Sequence, residues 1–207
     1  MLNIALTGNI AAGKSTVAGH FRRWGAVVLD ADQLVREVQM PGSAVNQAIV
    51  RRFGPDVLLP DGHLDRARLR GIVMADSEAR LALEAIVHPA VEARRQVSVA
   101  DARRQGARIV VSDIPLLFEA HDPAGFDAVV LVDAPESTRL QRLVWDRGLG
   151  EAEARRLMAA QLPTAAKRAW RGPNGEGPII IENDQGLEQL ERRARVVWEE
   201  LMARAGA

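Results

Sequence analysis

Gly8-Asn9-Ile10-Ala11-Ala12-Gly13-Lys14-Ser15 fills the pattern G-x-x-x-x-G-K-[ST], and its neighbourhood decides the fold. It follows directly on the apolar run Ile4 to Leu6 and leads directly into a segment of helical character, Thr16 to Trp24. A glycine-rich turn between a strand and a helix can wrap successive backbone N–H groups around a phosphate. Gly8 and Gly13 permit conformations closed to other residues, Ala11 and Ala12 contribute backbone, and the helix adds the positive end of its dipole. Lys14 can then reach the β- and γ-phosphate oxygens, the Ser15 hydroxyl is placed to coordinate Mg²⁺, and the Thr16 hydroxyl can assist. The competing reading is a glycine-rich turn with an incidental lysine. Motif, position and flanking elements together favour a site for ATP or another nucleoside triphosphate.

Working outward, further short apolar runs stand at Val27 to Leu29, Ile109 to Val111, Val129 to Val132 and Ile179 to Ile181. They are too brief for helices and rich in β-branched residues, and helical segments separate them. Continuous apolar strands covered on both faces mark a parallel sheet, so the expected fold is α/β, a three-layer P-loop NTPase fold with a five-stranded parallel sheet. Between the second and third runs lie about eighty residues, where a crossover needs about a dozen. Leu69, Ile72 and Val73, then Leu81, Leu83, Ile86 and Val87, recur there at helical spacing, which predicts a helical insertion. A second helical segment spans 135–170, the Gly/Pro-rich stretch 171–178 breaks it, and Leu190, Ala194, Val197 and Leu201 predict a C-terminal surface helix.

Composition narrows the chemistry. The chain of 207 residues has no cysteine, which excludes thiolate catalysis and zinc–thiolate sites and favours an intracellular home. No stretch reads as a signal peptide or a membrane span, so a cytoplasmic protein is expected. With 27 basic and 27 acidic residues there is no global field to draw in nucleic acid or membrane. The expected partners are small-molecule substrates, with the chain a monomer or weak homo-oligomer.

A P-loop alone leaves kinases, motor ATPases and GTPase switches open. The Asn-Lys-x-Asp signature of guanine readers is missing, since neither Lys14 nor Lys167 follows an asparagine. Asp30 and Asp32 follow the second run; in extended chain both would face one side at the ligand-binding edge of the sheet. A carboxylate there can accept the proton of an attacking hydroxyl, and phosphoryl transfer through a loose transition state asks mainly for orientation. The alternative is that Asp32 caps a helix beginning near Gln33. Asp113, at the end of the third run, can support Mg²⁺ as a Walker-B carboxylate or serve only as a turn former.

In combination these residues resemble the dephospho-coenzyme A kinase family over nearly the whole chain. The resemblance rests on residues 6–16, on Asp30-Ala31-Asp32, on Phe53-Gly54, on Asp61-Gly62-His63-Leu64-Asp65-Arg66, on Leu83-Glu84-Ala85-Ile86-Val87-His88-Pro89, and on Pro115-Leu116-Leu117-Phe118-Glu119. It implies that MgATP phosphorylates the ribose 3′-hydroxyl of dephospho-coenzyme A, the last step of coenzyme A synthesis. It further implies a nucleotide-binding core of residues 1–32, 107–134 and 178–207, an acceptor-binding domain of 33–106 and a lid of 135–177. By motif correspondence Asp32 receives or orients the hydroxyl, with Lys14 as its catalytic partner on the donor side. Arg36, His88 and Leu116 would meet the acceptor, although His88 before a proline at a helix end also reads as a local hydrogen-bonding device. Arg142, Arg147 and Arg156 would serve the lid together with Gln161, and Arg142 and Asn183 would contact ATP.

The sequence departs from the family in three places. Asn9, Ala11 and Ala12 stand where glycine and serine are common, Asp146 stands where the second lid arginine is usual, with Arg147 one place later, and residues 171–178 replace the usual approach to the last strand. Two rivals remain: a nucleoside or nucleoside-monophosphate kinase, and a non-catalytic nucleotide-dependent regulator. The acceptor-side motifs between Asp61 and Pro89 weigh against both.

Overall fold

The computed structural model describes residues 1–120 and 122–206. Its contacts divide the chain into two compact units, one of residues 1–29 and 102–207, the other of residues 30–101.

The first unit is built on a five-stranded parallel sheet in the order β2-β3-β1-β4-β5, with β1 at Leu2–Gly8, β2 at Val27–Asp30, β3 at Ile109–Asp113, β4 at Ala128–Asp133 and β5 at Ile179–Glu182. All five apolar runs are strands. β1 is central, pairing Leu6 with Asp113 on one side and Gly8 with Val132 on the other. Its two occupied flanks and two covered faces explain why Ile4, Ala5 and Leu6 are fully buried and why the run is apolar without alternation. Helix α1 (Lys14–Arg23) lays Val17, Ala18 and Phe21 into the core, against Leu190, Ala194, Val197, Trp198 and Leu201 of the C-terminal helix, Leu187–Arg204. Burying each of the valine, leucine and phenylalanine side chains among them contributes about 1.5–3 kcal/mol. The 3.6-residue spacing read from the sequence is thus the buried face of a helix whose other side is polar.

The second unit is helical. It contains α2 (Ala31–Val38), α3 (Ala44–Phe53), α4 (Arg66–Ala75) and α5 (Ser77–Arg104), the last continuing past the boundary of the unit. Val45, Ile49, Val57, Leu64, Leu69 and Val87 form its core. Leu81, expected within the apolar period, is exposed. Local chemistry starts three of these helices: Asp30, Ser43 and Asp65 accept backbone N–H groups from the first turns of α2, α3 and α4. The motif Asp61–Arg66 is therefore partly architecture, since Gly62 takes φ 83° in a turn, Leu64 fills the core and Asp65 caps α4.

The remaining helices of the first unit are α6 (Leu117–Ala120), α7 (Glu136–Gln141), α8 (Glu151–Ala159), α9 (Thr164–Ala169) and α10, the C-terminal helix already described. The segment read as one helical stretch over 135–170 is broken into α7, a π-helical turn at Arg142–Asp146, α8 and α9. Gly148 (φ 68°) and Pro163 stand at its interruptions. Among the described residues no helix is long and apolar enough to cross a membrane.

Candidate active site

The phosphate loop leaves β1 at Gly8 and enters α1 at Lys14. Gly8 is required by its neighbour: a Cβ there would meet the Val132 carbonyl oxygen at 2.6 Å. Gly13 is required twice, by its φ of 100° and because a Cβ there would collide with Asn183 Nδ2. Ala11, at φ 60°, is the one non-glycine residue with positive φ among those described, a conformation that costs roughly 1–2 kcal/mol. The surroundings hold it. Arg142 Nη1 donates to the Ala11 carbonyl at 3.0 Å and Nη2 to Asn183 Oδ1 at 3.2 Å, while Asn183 Nδ2 donates to the Ala12 carbonyl at 2.8 Å. The Asn183 N–H is itself fixed on the Asp133 carbonyl at 2.7 Å. The structure thus brings Arg142 and Asn183 to the loop, where they brace its backbone.

Lys14 and Asp113 form an ion pair, both side chains mostly buried. An ammonium carries three donors, so Lys14 can keep this carboxylate and still offer N–H groups to phosphate oxygens. Ser15 is exposed in the first turn of α1, with Thr16 beside it half-buried. Among the described residues no three His, Asp or Glu side chains gather to hold a metal.

Residues 161–164, between α8 and α9, lie against the loop. The Ile10 N–H donates to Gln161 Oε1 at 2.7 Å, and Asn9 Nδ2 donates to Thr164 Oγ1 at 3.1 Å and to the Leu162 carbonyl at 3.4 Å. Glu119 Oε1 accepts from the Leu162 N–H at 3.0 Å and pairs at 2.7 Å with Lys167, whose side chain is fully buried. Arg168 bridges Asp133 and Glu182 at the ends of β4 and β5, and the hydrogen bonds from Asp133 and then Glu182 hold its guanidinium even further above the ordinary range. Next to these contacts a cavity of about 600 Å³ opens between Asn9, Asp133–Glu136, Arg139, Arg155 and the 161–164 corner. Arg139 is buried there with Nε on the Ala134 carbonyl at 3.2 Å. Arg147 and Arg156 are exposed.

Sequence reasoning missed Asn9, Glu119, Lys167 and Arg168 as parts of one polar framework. One signal was available: Lys167 is one of two lysines in a chain otherwise basic through arginine, and the other is Lys14.

Leu116, in the first unit, is 45% exposed. Asp32 and Arg36 are exposed in the second unit, one helical turn apart on α2, so they share a face. The expectation that Asp30 and Asp32 face one side of an extended chain is corrected. Asp30 Oδ1 accepts from the N–H groups of Asp32 and Gln33 at 2.8 and 3.2 Å, ending the strand and starting the helix. The cap is therefore Asp30, and Asp32 is not the residue that performs it. His88, half-buried, stands mid-helix and not at a helix end, because α5 continues through Pro89. The proline removes only the N–H that would reach the Ala85 carbonyl, and Ala85 is exposed, so water can replace that bond. The unusual stretch 171–178 folds through bonds from Gly172 N–H to Glu176 O and from Gly175 N–H to Gly172 O, and with Phe126, Ala128 and Ile179 it lines a separate cavity of about 510 Å³. That cavity lies at the starts of β4 and β5, the opposite edge of the sheet from the phosphate loop.

The family model described as CoaE, dephospho-CoA kinase, matches residues 2–189. A dephospho-CoA kinase of Streptomyces avermitilis is 46% identical over 206 residues, covering 99% of this chain and 96% of its own. One from Geobacter sulfurreducens is 43% identical over 195 residues, covering 94% and 96%. Among solved structures, TT1252 from Thermus thermophilus aligns over 97% of both chains with a TM-score of 0.78 and 36% identity.

Proposed function

The chain belongs to the dephospho-CoA kinase family, and from that premise we propose how its residues carry out the ATP-dependent phosphorylation of dephospho-coenzyme A on its ribose 3′-hydroxyl. The observation that carries the reading is an intact phosphate cradle, built by Gly8, Ala11, Ala12, Gly13 and Lys14 and braced by Arg142 and Asn183, in a chain whose family match spans residues 2–189. The products are coenzyme A and ADP.

The cradle's N–H groups and Lys14 bind the β- and γ-phosphates of ATP, with Thr16, Arg142 and Asn183 at the nucleotide's edge. The acceptor oxygen attacks the γ-phosphorus while the bond from γ-phosphorus to the β–γ bridging oxygen breaks, and ADP leaves. Asp32 orients the attacking hydroxyl and takes its proton, which passes on to solvent. That Asp30 does the capping supports this role, because the Asp32 carboxylate is left to another task. Arg36, His88 and Leu116 meet the acceptor, within an acceptor-binding domain of residues 33–106. Residues 135–177 act as a lid, and Arg142, Arg147 and Arg156 brace the transferring phosphoryl group when it closes and excludes water.

The Ser15 hydroxyl and Asp113 would hold Mg²⁺. They are hard oxygen donors of the kind that ion takes alongside phosphate oxygens and water. When bound, the ion supplies charge neutralisation between the β- and γ-phosphates. A cytoplasmic, monomeric or weakly associating enzyme fits a chain with balanced charge.

The test is a coupled assay of ADP release with MgATP, with dephospho-coenzyme A, AMP or adenosine as acceptor. Release that requires dephospho-coenzyme A and yields coenzyme A is expected. Acceptor-independent hydrolysis, or preference for AMP or adenosine, would overturn the reading.

A further inference from the structure

The corner at residues 161–164 is gripped from two sides. Glu119 receives the Leu162 N–H and is itself neutralised by buried Lys167. From the phosphate loop, Asn9 reaches Thr164 Oγ1 and the Leu162 carbonyl, and the Ile10 N–H reaches Gln161 Oε1. Asn9 is only 6% exposed, yet it occupies a position where the phosphate-loop pattern accepts any residue. Burying an amide costs free energy unless its hydrogen bonds are made; the Asn9 Nδ2 group finds its partners 153 and 155 residues away in sequence, while Oδ1 is buried without one among the described residues.

We propose that Asn9 is a positioning residue, a side-chain latch by which the phosphate loop holds the 161–164 corner and keeps the nucleotide site assembled before ATP arrives. The proposal rests on the reading of Gly8–Ser15 as the nucleotide cradle of an ATP-dependent kinase. The donor end of the amide does the work. Glycine at this position leaves Thr164 Oγ1 and the Leu162 carbonyl to water, and aspartate, having no donor, sets a carboxylate oxygen against the Leu162 carbonyl, although the Thr164 hydroxyl can still donate to it. Two neutral hydrogen bonds of typical strength shift the docking equilibrium by about thirtyfold, and ligand affinity scales with the docked fraction. Once nucleotide is bound and the corner docked, transfer itself proceeds as before.

The experiment compares Asn9→Gly, Thr164→Ala, Thr164→Ser and the double variant Asn9→Gly/Thr164→Ala, reading kcat and KM for MgATP beside amide hydrogen exchange of the unliganded full chain. Expected are a three- to thirtyfold rise in KM for Asn9→Gly with kcat within about twofold, faster exchange at the Leu162 N–H, and a smaller KM rise for Thr164→Ala that Thr164→Ser restores. Thr164→Ala adds nothing further in the Asn9→Gly background, because the bond is already gone. Unchanged exchange and KM, a fall in kcat at constant KM, or additive effects of the two variants would each overturn the latch. The exchange measurement needs no substrate, so failure of the latch is separable from failure of the kinase reading.

Discussion

The surroundings of the phosphate loop and the face of α2 bearing Asp32 are built in opposite ways. Around the loop, groups far apart in sequence lock one another: Lys14 with Asp113, Arg142 with Ala11 and Asn183, Asn183 with Ala12, Glu119 with Lys167 and Leu162. On α2, Asp32 and Arg36 stand exposed on a helix that Asp30 starts and that Arg94 of α5 reaches through Glu37 at 3.0 Å. The difference suits the two jobs proposed for these regions. A polyphosphate is stabilised by donors fixed in advance, because preorganised dipoles need no rearrangement when charge develops. A hydroxyl acceptor needs only to be oriented, and a carboxylate on a well-started helix suffices.

The sharpest contrast comes from one substitution in each region. Lys14→Ala removes a phosphate-binding donor and is expected to lower kcat/KM by about two to three orders of magnitude and to weaken MgATP binding. Asp32→Asn keeps the shape and loses the proposed base, and is expected to lower kcat by a factor of about 10² to 10⁴. Both are read in the coupled ADP-release assay. If Asp32→Asn retained most turnover, the second region would have no part in the chemistry.

Next in size is the buried pair behind the loop. Lys167→Met strands the Glu119 carboxylate and is expected to destabilise the fold by about 3–5 kcal/mol, measured by denaturant unfolding. A loss below about 1 kcal/mol would mean that this framework is as loosely held as the α2 face. The smallest effect runs the other way. Ala11→Gly relieves a left-handed alanine and is expected to stabilise by up to about 1 kcal/mol, offset in part by the greater freedom of glycine in the unfolded chain. Destabilisation instead would show that the methyl group does more than strain the loop.

The same contrast explains what could be read from the sequence. The five strands were legible because a central parallel sheet, covered on both faces, forces continuous apolar runs, and the cradle because its motif is contiguous. The α10 face was legible through Leu190, Ala194, Val197 and Leu201, all buried. The contacts of Asn9, Glu119 and Asn183 were not, since hydrogen bonds across 153, 43 and 171 residues leave no local periodicity. Asp32 was misplaced on an extended strand for a local reason: Asp30 and Asp32 can each cap, and sequence alone did not reveal that Asp30 takes both N–H groups. His88 was put at a helix end because a proline ordinarily ends one, whereas α5 continues through Pro89, with Ala85, whose carbonyl loses its partner, an exposed residue.

The most direct test of the division between donor and acceptor chemistry is the calorimetric affinity of the Asp32→Asn protein for MgATP. The account predicts an affinity within about twofold of the unaltered chain alongside the loss of turnover, because the carboxylate acts on the acceptor. ATP affinity lost together with activity would contradict it and move Asp32 to the nucleotide side.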